Sequence, residues 1–190
     1  MTMRYDIINA LVKKFDYKSY LEIGYRDGTC FNKININDKV SVDPVGNPTF
    51  KMTSDAFFEQ NKKTFDIIFV DGLHTSGQVE KDIINSLNVL NKGGRVVCHD
   101  MNPVNEKDAE PVLRGQANWN GDVWKAWVKL KSKRTDLNMY IVNTDWGIGV
   151  IEEGTQDIIP IPEKLEWNYW NSNREKYIIS VEDFKKKMSS

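Results

Sequence analysis

The short run at residues 65–70 constrains the fold more than any other stretch of the sequence. Five of its six residues are apolar, and the turn-forming pair Asp71-Gly72 follows it. A run this short and this apolar is typical of a parallel strand that is buried on both faces. Because both faces need cover, the segment predicts a central strand with other elements packed on each side.

Helix-like and strand-like segments alternate around this run. Strands are predicted at 19–23, 39–43, 65–70 and 95–99, with a short one at 49–52, and helices at 4–15, 28–35, 55–62, 76–90, 123–130, 163–174 and from about 180. Two further strands, 137–142 and 147–151, are joined by four residues, too few for a crossover, so they should pair antiparallel. The order predicts an α/β fold, a doubly wound, seven-stranded and mostly parallel sheet with a final antiparallel hairpin and helices on both faces.

The length of 190 residues predicts a single domain with a sizeable core. We expect residues 1–154 to form the domain, including an N-terminal helix, and residues 155–190 to form a tail that packs on it. Residues 101–120 are polar, contain Pro103 and Pro111, and show no periodicity. A loop this long within a compact domain is usually functional or mobile.

Composition argues against several classes of function. The formal net charge of −1 gives no general attraction to nucleic acid or anionic membranes. No apolar run reaches the roughly 18 residues that a membrane span needs, and the first residues do not resemble a secretory signal. The two cysteines, Cys30 and Cys98, have no spacing motif, so we expect reduced thiols in a cytoplasmic protein.

A glycine loop follows the first predicted strand. Gly24 and Gly28 let the backbone approach a ligand closely, and a helix that begins near Thr29 should supply free N–H donors. Strand–loop–helix units of this kind bind nucleotide-like ligands. The dinucleotide pattern Gly-x-Gly-x-x-Gly is not met, because Arg26 and Thr29 stand two and five residues after Gly24.

Acidic and histidine residues follow three of the predicted strands. Asp43 ends the second strand, Asp71 and His74 follow the run at 65–70, and His99 and Asp100 end the next strand. The carboxyl ends of parallel strands meet at one edge of the sheet, where ligands bind in such folds. Carboxylates are the hard oxygen ligands that Mg²⁺ prefers, and His74 is a candidate general base because its ordinary pKa lies near 6.5.

The alternating units and the segment Leu21-Glu-Ile-Gly-Tyr-Arg-Asp-Gly28 resemble the class I S-adenosylmethionine-dependent methyltransferases over about residues 15–152. The resemblance implies a Rossmann-like sheet and S-adenosylmethionine as cofactor. In that family the acid after the second strand holds the ribose hydroxyls. The cofactor-binding residues that it implies are Glu22, Gly24, Tyr25, Gly28, Thr29, Asp43, Ser54, Asp55 and Asp71. Arg26 departs from the pattern, because it stands where the family usually has a glycine.

The segment Asp71-Gly-Leu-His74, taken with His99-Asp100, is similar to a bacterial subgroup of small-molecule methyltransferases that includes macrocin-type sugar O-methyltransferases. The similarity implies a divalent cation, Mg²⁺ in the first instance, held by Asp71, His99 and Asp100. It implies catalytic roles for Asp71 and His74, with His74 as general base. The implied reaction moves a methyl group to a hydroxyl of a small molecule, such as a sugar or glycoside.

Other functions stay open at this point. A non-catalytic cofactor-binding or interaction module of the same fold could use the aromatic tail for contacts with a partner or a second copy. An NAD-dependent oxidoreductase is disfavoured by the glycine loop and the antiparallel hairpin. Methylation of nucleic acid is disfavoured by the charge and by the absence of an Asn/Asp-Pro-Pro-Tyr/Phe motif. We therefore expect a small-molecule acceptor, no nucleic-acid or membrane partner, and consider a homodimer.

We predict that the protein binds S-adenosylmethionine and S-adenosylhomocysteine but not NAD, since Arg26 and Thr29 replace two glycines of the dinucleotide pattern. Isothermal titration calorimetry with the three ligands measures this directly. Binding of NAD alone would favour the oxidoreductase, and failure to bind either sulfur ligand would contradict the methyltransferase prediction.

Overall fold

The computed structural model describes residues 2–189, and within them seven strands form one sheet in the order β2-β1-β3-β4-β6-β5-β7. The strands are β1 (Ser19–Ile23), β2 (Asp38–Val42), β3 (Phe65–Val70), β4 (Leu90–Cys98), β5 (Leu137–Val142), β6 (Ile148–Glu153) and β7 (Ile178–Ile179). The pairs β1–β2, β1–β3, β3–β4 and β5–β7 are parallel, whereas β6 is antiparallel to both β4 and β5. The predicted mostly parallel sheet with an antiparallel hairpin is confirmed.

Helices cover the sheet on both sides. They are α1 (Arg4–Phe15), α2 (Ser54–Gln60), α3 (Ser76–Asn88), α4 (Trp124–Lys131), α5 (Trp167–Asn173) and α6 (Val181–Ser189). None of the helices within residues 2–189 combines the length and the apolar character needed to cross a lipid bilayer.

Strand β3 contributes to two hydrophobic cores, one on each face of the sheet. Ile68 and Val70 belong to a cluster with residues of α2, α3 and α4. Ile67 and Phe69 point to the opposite face and belong to a cluster with residues of α1 and α6. Successive side chains of a strand alternate between faces, so burial on both sides explains why residues 67–70 are all apolar.

The segment after β1 differs from the prediction. The expected helix at 28–35 is only a single 3₁₀ turn, Phe31–Lys33. Gly28 is left-handed, with φ of 76°, and Ile34 is extended, with φ of −80° and ψ of 126°, so the right-handed segment between them is short. The loop after β1 is therefore built from turns, and it lacks the helix N-terminus expected at Thr29.

Three other boundaries also differ. The expected strand at 49–52 is only an isolated bridge between Val42 and Phe50, and the seventh strand comes instead from the tail as β7. Helix α2 begins at Ser54 and not at residue 55, and it is capped by Thr53, whose Oγ1 accepts a hydrogen bond from the backbone N–H of Ala56. Strand β4 begins at Leu90, earlier than predicted, and its register against β3 is irregular.

The tail contacts the sheet and its helices at several points. Trp170 is fully buried, and its ring lies 5.3 Å from that of Trp124 and 5.7 Å from that of Tyr177. Its Nε1 donates a hydrogen bond to the carbonyl of Pro103 at 3.1 Å. We propose that residues 155–189 and residues 2–154 form a single folding unit. The predicted limits at residues 1 and 190 lie outside the described residues.

Glu22 lies inside β1 and is almost completely buried, at 1% exposure. Burial raises the pKa of Glu22 from 4.5 to about 7, although a hydrogen bond from the Tyr20 hydroxyl opposes the shift. The folded protein therefore holds this proton more tightly than the unfolded chain does.

We predict that Trp170→Ala lowers the free energy of unfolding by about 3–5 kcal/mol, the usual cost of removing a fully buried tryptophan. Ile158→Ala, at a tail position that is 49% exposed, should change it by less than about 0.5 kcal/mol. Urea unfolding measures both. A wild-type midpoint for Trp170→Ala would contradict the single folding unit.

We also predict that Glu22→Gln stabilises the protein at pH 8 and not at pH 4. Ionising the buried Glu22 costs stability progressively as the pH rises from 4.5 to about 7, and the amide cannot ionise. The gain at pH 8 should reach at most about 3 kcal/mol. Urea unfolding at both pH values measures it, with the exposed Glu59→Gln as control. A gain that is equal at both pH values would contradict this account.

Candidate active site

A cavity of about 870 Å³ lies at the carboxyl ends of β1 to β4. Its volume falls within the range of 300–1,000 Å³ that is usual for ligand sites. The predicted site residues that line it are Gly24, Asp43, Ser54, Asp55, Asp71, His74, His99 and Asp100. The structure therefore brings together the residues that follow four strands and the start of α2.

Four residues that the sequence predicted to bind the cofactor do not line this cavity: Glu22, Tyr25, Gly28 and Thr29. Tyr25 packs against the ring of Phe31 at 5.6 Å, and a Cβ at Gly28 would lie 2.4 Å from the Tyr25 hydroxyl. Thr29 is exposed, and Glu22 is buried in β1. A direct role in cofactor binding stays a prediction for each of the four.

Gly24 and Arg26 explain how the loop is built. At Gly24, with φ of 94°, a Cβ would lie 2.0 Å from the backbone oxygen of Asp71, so the loops after β1 and β3 touch. Arg26 keeps a left-handed backbone without being glycine, and its N–H donates to Asp43 Oδ2 at 2.8 Å. The N–H of Val45 donates to Asp43 Oδ1 at 2.9 Å. Each Asp43 oxygen keeps a lone pair that can accept from a ligand hydroxyl.

Gln78, in the first turn of α3, is a cavity residue that the sequence analysis did not identify. Its Nε2 lies 3.3 Å from Ser54 Oγ, 2.9 Å from Asp55 Oδ1 and 3.1 Å from Asp82 Oδ1. These contacts orient the amide and join the start of α2 to α3. The helical pattern of α3 gave no reason to select this glutamine over its neighbours.

Asp71, His74 and Asp100 bring three potential metal-ligand atoms within 4.8 Å of one another. His74 Nε2 lies 3.6 Å from Asp71 Oδ1 and 3.4 Å from Asp100 Oδ2. On its other side, His74 Nδ1 lies 3.0 Å from the carbonyl oxygen of Trp119. A donated hydrogen bond from Nδ1 to that carbonyl leaves the Nε2 lone pair facing the two carboxylates.

This donor set fits a divalent cation. Two carboxylates and one imidazole are common ligands of Mn²⁺ and Zn²⁺, and the carboxylates also suit Mg²⁺. Ligating histidines usually donate their second ring nitrogen to a backbone carbonyl or carboxylate, as His74 does to Trp119. The sequence predicted Asp71, His99 and Asp100 as the metal ligands. The group found in the structure contains His74 instead of His99.

His99 is buried among three carboxylates. Its Nδ1 lies 3.3 Å from Asp71 Oδ1 and 3.0 Å from Asp100 Oδ2, and its Nε2 lies 3.6 Å from Asp145 Oδ1. Burial alone would lower the pKa of His99, but the charges of Asp71 and Asp100 outweigh burial and raise that pKa well above its usual value. The three carboxylates around His99 therefore favour its protonated form.

Arg4 and Asp145 complete the charged group, and the sequence analysis missed both. Arg4 donates from Nη1 to Asp71 Oδ2 at 2.8 Å, and from Nε and Nη2 to Asp145 at 2.9 and 3.2 Å. Arg4 begins α1, whereas Asp145 lies in the turn between β5 and β6. No local pattern connects residues so far apart in sequence.

The long loop at 101–120 forms one wall of the site, as expected for a functional loop. The Trp119 ring stacks on His74 with centroids 4.9 Å apart. The next residue, Asn120, donates from Nδ2 to Asp100 Oδ1 at 2.6 Å. A Cβ at Gly121 would lie 1.9 Å from the backbone oxygen of His74, so the loop and the segment after β3 are in close contact.

Comparisons with known proteins agree with this geometry. Residues 21–101 match the family model described as Methyltransferase domain. A candidate caffeoyl-CoA O-methyltransferase from Staphylococcus aureus is 18% identical with a TM-score of 0.59, over 79% of this chain and 82% of that one. An O-methyltransferase from Bacillus cereus, in complex with S-adenosylhomocysteine, is 12% identical with a TM-score of 0.57, over 80% of each chain.

A methyltransferase from Podospora anserina with bound S-adenosylhomocysteine is 15% identical with a TM-score of 0.56, over 80% of this chain and 78% of that one. The search of curated proteins found no significant match. The matched segment runs from β1 to the end of β4 and contains the glycine loop, Asp43, Asp71 and Asp100. This chain therefore has the fold of the S-adenosylmethionine-dependent methyltransferases that it resembles, and residues 21–101 match the methyltransferase-domain model.

Proposed function

We propose that this protein transfers a methyl group from S-adenosylmethionine to a hydroxyl of a small molecule, such as a sugar or glycoside, with the assistance of a divalent cation. One observation carries the proposal. Gly24 and Asp43, which follow β1 and β2, line the same cavity as Asp71, His74 and Asp100, whose potential metal-ligand atoms lie close together.

The cofactor would occupy the part of the cavity near β1 and β2. Asp43 would accept hydrogen bonds from the ribose hydroxyls, since each of its oxygens keeps a free lone pair. Ser54 and Asp55, joined to Gln78, would face the adenine. The structures from Bacillus cereus and Podospora anserina hold S-adenosylhomocysteine on the same fold, which supports this assignment.

The acceptor would lie between the cofactor and the wall formed by the long loop. Methyl transfer requires the acceptor oxygen, the methyl carbon and the sulfur to be in line, so both substrates must be held firmly. Exposed apolar side chains at the mouth of the cavity, Leu73 and Leu113, suit an acceptor that carries an apolar part. Trp119 would exclude water from one side.

Asp71, His74 and Asp100 would hold the cation. A bound divalent cation lowers the pKa of a coordinated hydroxyl and fixes the position of its oxygen. The alcohol of a sugar is a weak acid, so it needs this activation or a strong general base before it can attack a methyl group. Mn²⁺ and Zn²⁺ suit the full donor set, and Mg²⁺ suits its two carboxylates.

His74 can act either as a ligand of the cation or as a general base. Burial lowers the pKa of His74, but the hydrogen bond to Asp71 and the charge of Asp100 outweigh burial, so the net shift is upward. Nε2 is the ring nitrogen that faces the two carboxylates, because Nδ1 contacts the Trp119 carbonyl. A nitrogen that binds a cation cannot also accept a proton, so the two roles have different experimental consequences.

We also propose that the protein is cytoplasmic and that its acceptor is not a nucleic acid, and a homodimer stays a prediction. Cys30 and Cys98 are both free cysteines, which suits a reducing compartment. The net charge of −1 provides no general attraction to a polyanion.

We predict that Asp100→Asn lowers methyl transfer by on the order of 100-fold or more, because several kcal/mol of activation depend on the cation. The measurement follows radiolabelled methyl transfer from S-adenosylmethionine to a panel of methyl glycosides and phenols, with and without EDTA. Asp157→Asn, an exposed residue outside the cavity, should behave as wild type.

The same assay, together with a measurement of Mn²⁺ binding, separates the two proposed roles of His74. If His74 is a ligand, His74→Ala weakens Mn²⁺ binding and transfer together. If His74 is the base, His74→Ala reduces transfer while Mn²⁺ still binds. Full activity in EDTA, or full activity of Asp100→Asn, would contradict assistance by a cation. Binding of S-adenosylmethionine without transfer to any acceptor would favour the non-catalytic module.

A further inference from the structure

We propose that Arg4 and Asn120 are positioning residues for the two carboxylates of the candidate cation site. Each of them binds one oxygen of a carboxylate and leaves the second oxygen directed at His74 and His99. The inference rests on the proposed function, because it concerns the cation that Asp71, His74 and Asp100 would hold.

Arg4 binds one oxygen of the Asp71 carboxylate and leaves the other facing the two histidines. Its Nη1 donates to Oδ2 at 2.8 Å. The other oxygen, Oδ1, lies 3.6 Å from His74 Nε2 and 3.3 Å from His99 Nδ1. The terminal torsion of an aspartate is otherwise broad, so the bond from Arg4 selects the orientation that turns Oδ1 toward the site.

Asn120 does the same for Asp100. Its Nδ2 donates to Oδ1 at 2.6 Å, and the other oxygen, Oδ2, lies 3.4 Å from His74 Nε2 and 3.0 Å from His99 Nδ1. Asn120 is 1% exposed, and its backbone N–H donates to the carbonyl of Asp108 at 2.8 Å. The donor to Asp100 is therefore itself held in place by the loop.

Arg4 is held with comparable firmness. Its Nε and Nη2 both donate to the carboxylate of Asp145, at 2.9 and 3.2 Å, and its backbone N–H donates to the same group at 2.9 Å. The planar guanidinium spans two carboxylates at fixed angles, a geometry that a lysine ammonium cannot reproduce. Arg4 thus fixes the Asp71 carboxylate relative to the turn between β5 and β6.

The two positioning donors come from outside the central strands. Arg4 begins α1, and Asn120 belongs to the loop after β4. The strands place the Cα atoms of Asp71 and Asp100, while these two donors fix the terminal torsion of each carboxylate so that its second oxygen faces His74. The site is therefore complete only when α1 and the loop are both in place.

The test uses Arg4→Lys and Asn120→Ala, because both substitutions leave the charge of the site unchanged. We expect each to weaken Mn²⁺ binding by about 10- to 100-fold, the usual effect of losing a group that orients a metal ligand. Electron paramagnetic resonance of free Mn²⁺ measures the affinity for protein saturated with S-adenosylhomocysteine. The affinity for S-adenosylhomocysteine, from calorimetry, should not change.

Thr144→Val is the matched control. The Thr144 hydroxyl donates to the carbonyl of Thr2, so the variant loosens the same junction between the N-terminal segment and the turn without touching a carboxylate. It should bind Mn²⁺ as wild type does. Equal losses of Mn²⁺ affinity in Thr144→Val and Arg4→Lys would show that Arg4 acts only by holding the junction, and would overturn its positioning role.

Three other results would count against the proposal. Wild-type Mn²⁺ affinity in both Arg4→Lys and Asn120→Ala overturns this inference alone. Parallel losses of S-adenosylhomocysteine affinity or of melting temperature in these variants show a general structural role, and overturn it as well. Absence of Mn²⁺ binding by the wild-type protein overturns the cation site together with the inference that rests on it.

Discussion

Burial of β3 on both faces is the constraint on which the rest of the structure depends. Its apolar side chains alternate between two cores, so the strand must lie in the interior of the sheet. Parallel neighbours on both sides, β1 and β4, then end at the same edge as β3. Because that edge is the ligand-binding side of such sheets, burial of one short strand decides where Gly24, Asp71 and Asp100 meet.

The chemistry at that edge depends on balancing buried charge. Asp71, Asp100 and Asp145 lie close together, and isolated carboxylates in such a setting would be costly. Arg4 supplies compensating positive charge by direct contact with Asp71 and Asp145, and the carboxylates favour the protonated form of His99. At Asp71 the contact with Arg4 both compensates the charge and binds one carboxylate oxygen, whereas at Asp100 the oxygen is bound by the uncharged amide of Asn120.

The parts of the site that could be predicted from sequence are those encoded by short stretches. Asp71 and Asp100 were predicted because each directly follows an apolar strand, and strand ends of a parallel sheet converge. The helix expected after Gly28 was wrong, since the right-handed segment between Gly28 and Ile34 is short. His74 was singled out as a base, and its place beside both carboxylates as a third potential ligand became visible only in three dimensions.

The sequence by itself determined the α/β class, the central strand, the glycine loop and the acids at the strand ends, because each depends on residues within one or two elements. Only the tertiary structure decided that β7 completes the sheet and that Arg4 and Asn120 bind the carboxylates of Asp71 and Asp100. Such contacts join residues whose separation along the chain leaves no periodic or local signal. They form only once the two cores have brought α1, the long loop and the β5–β6 turn to the same edge.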